Sequence, residues 1–409
     1  MDARCPVASG RQCRARPRTA GGVRRADREG GPSMSELRIV RAEGNPVQRG
    51  QRIGRELRDL MNESIDFYGR YMSRRGVSTP QLQELLTPYL VYAEAAFPQF
   101  MGTLNGMSAG ATVPFLELFA VNAFEELEPL LEAPEGGTLF LQRKEGRFPT
   151  KEPRDPRPAA APRIERCSSF TVTAPGVTLL GHNEQWLAGD LGNVAVVIEV
   201  PDDGSVAVAS PTIVSCLPAV GVNGNGAAQG IGSLTALDDH VGVPRVLVSR
   251  HSLEAADRDD AVRRAGTASR AGGYGHVLAF RGGDSVTIET TGKEVAVLDG
   301  PGAHTNHYLD PRLAALGVEP SEGSRSRLAR LDELLAERRP ATPEGVMDIL
   351  RDHGSGSEAI CLHPDPAEGD EASAVMFSMV ADMEASRLWV ATGNPCQNDY
   401  VEIDLTGVA

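Results

Sequence analysis

Between Pro46 and about Arg74, the apolar residues Ile53, Leu57, Leu60, Met61, Ile65, Tyr68 and Met72 recur at helical spacing with charged residues between them. That pattern predicts one amphipathic helix. Helical patterns continue from Pro80 to Met107, interrupted at Pro88 and Pro98, and from Thr112 to Leu127, where Thr112 is placed to cap and Pro114 falls in the first turn. From Cys167 onward the period shortens. SSFTVTA and VTLLG are β-branched runs on either side of Pro175-Gly176, and NVAVVIEV and SVAVAS flank Pro201-Asp202-Asp203-Gly204. Each pair predicts a hairpin. HVLAF, SVTIET and EVAVL follow around Gly282-Gly283-Asp284, and AVMFSMVAD and RLWVATG close the chain as strands. Between these sets, VPRVLVSRHSLEAA, RDDAVRRA and the stretch from Arg325 to Glu337 predict helices. Hairpins, then helices, then hairpins imply an α+β layered fold with antiparallel sheets and helices outside them. A mostly helical segment, 34–132, precedes it.

The two textures are joined by residues 133–166, which end in PTKEPRDPRPAAAPRIER, with five prolines, mixed charges and no apolar period. This reads as an exposed processing linker. Cys167 follows it directly and opens the domain 167–409. Breaking the Arg166–Cys167 bond would place a thiol and a free α-amine on one residue. An α-amine with its ordinary pKa of about 7.7–8.0 can act as base for that thiol. Taken alone, a strand-edge cysteine after a loop is the plainer reading.

The charge narrows the partners. The formal net charge is −14, and residues 1–33 hold eight Arg against three acidic residues, a net of +5, which leaves −19 for the remainder. An acidic body argues against nucleic acid. The first 33 residues have no apolar stretch, so they read as a disordered Arg-rich extension or as residues upstream of a natural start at Met34. No run of about 18 apolar residues suggests a membrane span. The expected setting is cytoplasmic.

Six cysteines at wide spacings, without an export signal, do not make a disulfide framework, and no Cys-x-x-Cys pair points to zinc. Cys216, Cys361 and Cys396 read as buried free thiols. His304 and His307 form a His-x-x-His pair in HTNHYL that lacks the further ligands of a helical zinc site, so no metal is expected. Asn306 between them is a candidate amide donor to an oxyanion, or a turn residue. GHNEQW ends the strand paired with the Cys167 strand, which makes Asn183, Glu184 and Gln185 candidates for a pocket wall. GVNGNGAAQGIGSL lacks the Lys-Ser or Lys-Thr of a phosphate loop and reads as a tight turn between strands.

Taken in order, Cys-Ser-Ser-Phe after a linker, Gly-His-Asn-Glu-Gln-Trp, Gly-Val-Asn-Gly-Asn-Gly, Gly242-Val243-Pro244-Arg245, His-Thr-Asn-His, Ala359-Ile360-Cys361 and Thr392-Gly393-Asn394-Pro395-Cys396 form a specific set. From roughly Ile39 to Ile403 the chain resembles acyl-coenzyme A:6-aminopenicillanic acid acyltransferase and its bacterial relatives. The resemblance implies an N-terminal-nucleophile (Ntn) hydrolase fold, an αββα sandwich cut between Arg166 and Cys167 into two chains that stay associated. It implies Cys167 as nucleophile, its amine as base and Asn306 in the oxyanion hole. Two positions depart from the family pattern: Gln185 stands where Asp is common, and Leu362 where an Arg implicated in binding a substrate carboxylate is common. Losing both together is coherent, since removing one alone would strand a charge. The implied enzyme acts on a small-molecule amide or acyl thioester less charged than a penicillin nucleus. Hydrolysis ranks slightly above transfer, with no bound cofactor and acyl-coenzyme A as a possible co-substrate. The competing expectation is a catalytically impaired relative that serves as a binding or regulatory protein.

Overall fold

The computed structural model describes residues 37–131 and 167–408. The extension 1–33 and the whole linker 133–166, Arg166 included, lie outside the described residues. Before the linker run β1 (Arg38–Gly44), α1 (Pro46–Glu56), α2 (Arg58–Arg74), α3 (Thr79–Ala96), α4 (Pro98–Ala111), α5 (Phe115–Asn122) and α6 (Phe124–Leu131). After it come β2 (Ser168–Ala174), β3 (Val177–Leu187), β4 (Val194–Pro201), β5 (Val208–Ile213), β6 (Gly221–Asn223) and β7 (Ala227–Leu234). Then follow α7 (Arg245–Leu253), α8 (Arg258–Ala265), β8 (Gly273–Phe280), β9 (Asp284–Thr290), β10 (Val295–Asp299) and β11 (Ala303–His304). The chain ends with α9 (Pro311–Ala314), α10 (Glu322–Arg338), α11 (Pro343–Leu350), β12 (Ser373–Asp382), β13 (Arg387–Thr392) and β14 (Val401–Ile403).

Local chemistry sets most of these boundaries. Asn45 and Gln48 form a reciprocal capping box, and Pro46 occupies the first turn of α1. The single helix expected from 46 to 74 is instead two, because Leu57 leaves helical geometry at φ −110, ψ 18 and the chain restarts at Arg58. Thr112 does not cap a following helix. It ends α4 in the left-handed region at φ 63, and Pro114 becomes the N-cap of α5. Helices α1 and α4 touch backbone to backbone: a Cβ on Gly106 would lie 2.3 Å from the Val47 carbonyl oxygen, and one on Gly50 2.0 Å from that of Thr103.

Two sheets form. One has eight strands in the order β1-β4-β5-β6-β7-β8-β9-β10, and the other six in the order β11-β2-β3-β12-β13-β14. Strand pairs are antiparallel except β1 with β4, which is parallel and brings a strand from before the linker onto the sheet built after it. The sheets pack face to face, β2 and β3 lying against β7 and β8. Outside the six-stranded sheet, Leu331 and Leu334 of α10 and Val346 and Ile349 of α11 cover Phe170 and Leu179. Outside the eight-stranded sheet, Ala261 and Ala265 of α8 cover Leu278, Val286 and Ile288. This is the four-layer αββα order.

The pre-linker helices share the main core with both sheets. A buried ion cluster ties them further: Glu199 on β4 accepts from Arg49 of α1 at 3.0 Å and from Arg250 of α7 at 2.5 Å. The two guanidiniums hold the Glu199 carboxyl below its usual range although burial opposes them. Among the described residues, no helix is long and apolar enough to cross a membrane.

Candidate active site

The β2–β3 hairpin turns at Pro175-Gly176 in a register that pairs Ala174 with Val177 and Ser168 with Asn183. Cys167 stands one residue ahead of β2, so the same register sets it beside Glu184. Residues opposite each other in an antiparallel pair share a face. The Cys167 thiol donates to Glu184 Oε1 at 3.2 Å, and Glu184 Oε2 lies 3.0 Å from His182 Nε2. His182 Nδ1 meets Ser169 Oγ at 2.9 Å, and that hydroxyl donates to the Ile231 carbonyl at 3.3 Å. A polar chain therefore runs from the thiol across the inner face of the six-stranded sheet to the other sheet. Burial, with the Glu184 carboxylate next in weight, pushes the Cys167 thiol well above its ordinary pKa. The backbone of Cys167 is in the left-handed region at φ 81. For a residue with a Cβ such a conformation costs about 1–3 kcal/mol.

Arg327, on α10 and almost wholly buried, joins this residue to Asn306. Its Nη1 donates to the Cys167 carbonyl at 2.6 Å and to Ser168 Oγ at 3.0 Å, and its Nη2 donates to Asn306 Oδ1 at 2.9 Å. With its oxygen taken by the guanidinium, Asn306 turns Nδ2 toward the Ser233 carbonyl at 3.3 Å. The Asn306 amide N–H is fixed by Ser324 Oγ at 2.8 Å.

A cavity of about 60 Å³ opens against Cys167 and Glu184. One part of its wall is apolar, with Phe124, Ile213, Leu217, Val220, Ile231 and Phe377, and includes Trp186, whose Nε1 donates to the Tyr68 hydroxyl. The other part is charged, with Glu125 and Glu126 from before the linker and Glu184 and Arg245 from after it. Glu125 and Glu126 of α6 meet Arg245 at 3.5 and 3.0 Å, and Asp239 meets it at 3.2 Å. Ser233 and Tyr274 donate to Glu125 at 2.8 and 3.0 Å. Burial pushes Glu126 up to about 7 against the pull of Arg245.

Of the pocket candidates drawn from sequence, Glu184 lines this cavity and Asn183, Gln185, His304, His307 and Leu362 do not. Alternation along β3 sends Asn183 and Gln185 to the outer face. There Asn183 Nδ2 donates to the carbonyls of Leu350 and Ile360, both at 2.9 Å, and Gln185 Nε2 to that of Ile360 at 3.1 Å. His304 is buried against Glu289 at 2.9 Å, and the same carboxylate receives the N–H groups of Leu309 and Asp310 at 2.6 and 2.9 Å. His307 Nδ1 meets Ser324 Oγ at 2.7 Å. Leu362 contributes its carbonyl, which accepts from Val375 and from Asn394 Nδ2 at 3.1 and 2.7 Å. The Gln185 and Leu362 exchanges therefore do not leave a neutral cavity, because its charges come from Glu184, Glu125, Glu126 and Arg245. A bulge exists, with Met376 the extra residue on β12 opposite Glu184 and Gln185, but Glu184 reaches Cys167 by plain strand alternation. Of the cysteines expected to be buried, Cys361 is, Cys216 is half-buried and Cys396 is exposed.

Residues 172–397, more than half of the chain, match the sequence pattern of the family described as acyl-coenzyme A:6-aminopenicillanic acid acyl-transferase. The chain belongs to this family. The matched region begins just after Cys167 and takes in Glu184, Arg245, Asn306 and Arg327. Among solved structures, the chain is similar to a penicillin V acylase from Agrobacterium tumefaciens, with 14% identity, TM-score 0.39, and coverage of 59% of this chain and 86% of that one. It is also similar to a conjugated bile acid hydrolase from Clostridium perfringens, with 13% identity, TM-score 0.42, and coverage of 59% and 92%. No curated protein matches the chain. The family's name denotes acyl transfer, and the αββα layers are those the family resemblance implied.

Proposed function

We propose that the protein is a self-processing N-terminal cysteine amidohydrolase in which Cys167 first cuts the chain and then carries the substrate acyl group. The observation that carries this reading is the Cys167 thiol, buried at a cavity wall and donating to Glu184 at 3.2 Å. Maturation begins when that thiol passes its proton to Glu184 and the sulfur attacks the Arg166 carbonyl carbon. The carbon–nitrogen bond to Cys167 breaks, the nitrogen takes the proton back, and a thioester remains. Water hydrolyses the thioester, releasing the Arg166 carboxylate and leaving a thiol and an amine on Cys167. The left-handed φ of Cys167 favours this step, since relaxing a strained residue lowers the cost of opening the bond that holds it. The two chains stay together through the β1–β4 pair and the contacts of α6 with Arg245.

In turnover the freed amine is base for the thiol, and Asn306 Nδ2 donates to the oxyanion. The amine then returns its proton to the leaving group, and water completes hydrolysis. Water as acceptor requires no second binding site, which ranks hydrolysis above acyl transfer. The apolar wall suits a hydrocarbon acyl group. Arg245 is the cation among the described lining residues, and three carboxylates already engage it. An amide whose amine part is neutral or cationic therefore fits better than one bearing a carboxylate.

The test is an intact-mass experiment on the processed enzyme mixed with N-acyl amides whose leaving amines are neutral, cationic or anionic, and with acyl thioesters. The expected result is a transient acyl adduct on the fragment that begins at Cys167, with turnover of the neutral and cationic amides. Turnover confined to carboxylate-bearing amides would overturn the substrate class, and the absence of any adduct or turnover would overturn the enzyme reading.

A further inference from the structure

On the outer face of the six-stranded sheet, outside the cavity, the fold gathers His353, Cys361, His363 and Cys396. Each offers one nitrogen or sulfur, and the four atoms all lie within 4.8 Å of one another. His353 Nε2 and His363 Nε2 are 3.2 Å apart, His363 Nε2 is 3.1 Å from Cys396 Sγ, and it is 4.0 Å from Cys361 Sγ. A tetrahedron with Zn–N of about 2.0–2.1 Å and Zn–S of about 2.3 Å has edges of roughly 3.3–3.8 Å, and the observed separations straddle that range. We infer that these four residues are the ligands of a structural zinc ion.

The donor set suits that ion. Two thiols and two imidazoles with no carboxylate favour zinc over magnesium or calcium, and four protein ligands leave no position for substrate. The ligand loops are also held together by bonds that need no metal. The Cys361 N–H donates to the Asp352 carbonyl at 3.1 Å, and Arg351 Nε to the Pro395 carbonyl at 3.0 Å. Asn394 Nδ2 donates to the Leu362 carbonyl at 2.7 Å and approaches Cys361 Sγ at 3.5 Å, in the manner of a group supporting a bound thiolate. Cys361 and Cys396 are free thiols, and Cys396 and His353 face solvent, which gives an ion a way in. The absence of a Cys-x-x-Cys pair, which argued against zinc in the sequence, does not bear on this site. Its ligands come from the 353–363 loop and from the segment after β13, which only the fold brings together.

The ion would act on the active site from behind. Ile360, next to Cys361, lends its carbonyl to Asn183 and Gln185, whose neighbour Glu184 faces Cys167 on the other side of β3. Clamping the 353–363 loop to Cys396 therefore steadies the strand that positions Glu184.

The test uses the full-length protein without an affinity tag, purified after growth with zinc, and reads metal by mass spectrometry alongside thermal unfolding. About one zinc per chain is expected in the wild type, with loss in Cys396→Ser and His353→Ala, two solvent-facing changes compatible with folding. A strong chelator is expected to lower the melting temperature of the wild type and leave that of Cys396→Ser unchanged. Zinc below a tenth of an equivalent in the wild type after reconstitution would overturn the inference. So would a mass two daltons low, reporting a Cys361–Cys396 disulfide, or equal zinc in the wild type and both variants.

Discussion

The Cys167 thiol lies 3.2 Å from Oε1 of Glu184, and the carboxylate that faces this thiol is therefore residue 184 and not its neighbour Gln185, which bonds the Ile360 carbonyl on the opposite face. One strand position decides which side chain faces the thiol.

Replacing Glu184 with Gln keeps the shape and removes the proton acceptor. Self-cleavage, followed as fragment mass against time, is expected to slow by roughly 10²-fold or more, the usual range for a general base. Gln185→Ala should change it far less. Equal effects at the two positions would mean that both act by supporting the strand.

Arg327 holds the Cys167 carbonyl and Asn306 Oδ1 with one guanidinium. Arg327→Met should let the Asn306 amide swing, lowering kcat on the order of 10²–10³-fold, the range for losing an oxyanion donor, with little change in KM. Asn306→Ala in the same background should then add little further loss. Fully additive losses would show that Arg327 does not act through Asn306.

Glu199 stands between Arg49 and Arg250. Glu199→Gln removes the counter-ion of buried Arg49 and one of the two carboxylates on Arg250, leaving Arg250 only Glu254 at 3.1 Å, and is expected to cost about 3–5 kcal/mol. Denaturant unfolding measures this. A loss under about 1 kcal/mol would mean that water enters the cluster and solvates the charges, as it does around exposed pairs.

Acid should destabilise the fold through His276. Burial, helped by Arg270 and His304, lowers its pKa from 6.5 to about 3. A lowered histidine contributes stability that is present above its unfolded value and is lost as pH falls from 6.5 toward about 3. Glu126 works in the opposite sense. Raised from 4.5 to about 7, it contributes stability that is complete below 4.5 and is lost as pH rises through about 7. Urea midpoints from pH 4 to 8 should show His276→Gln flattening the acid limb and Glu126→Gln gaining on the wild type above pH 7. Parallel profiles for all three proteins would contradict both assignments.

Much of this was legible in the sequence where local chemistry rules. Pro175-Gly176 announced the hairpin, the period change at Cys167 marked where every strand but β1 begins, and residues 224–226 of the glycine run proved to be the turn between β6 and β7. The pairing of Cys167 with Glu184 was within reach as well: a two-residue turn that pairs 174 with 177 also sets 167 against 184. His182 and Arg245 stood inside quoted motifs without a role. Arg327 gave no signal, since it is one of several arginines on a helix and only packing distinguishes it from the exposed Arg325. Glu125 and Glu126, ahead of the linker, read as an ordinary helix face until the fold laid them on Arg245. The parallel β1–β4 pair and the His353, Cys361, His363 and Cys396 group depend on contacts between distant segments, which periodicity does not register.

The central claim is that Cys167 cuts the chain that carries it. Intact mass of the purified wild type beside Cys167→Ala tests it most directly. The account predicts two fragments meeting at Arg166 and Cys167 in the wild type and one uncut chain in the variant. A single uncut chain in both, or the same cut in both, would contradict it.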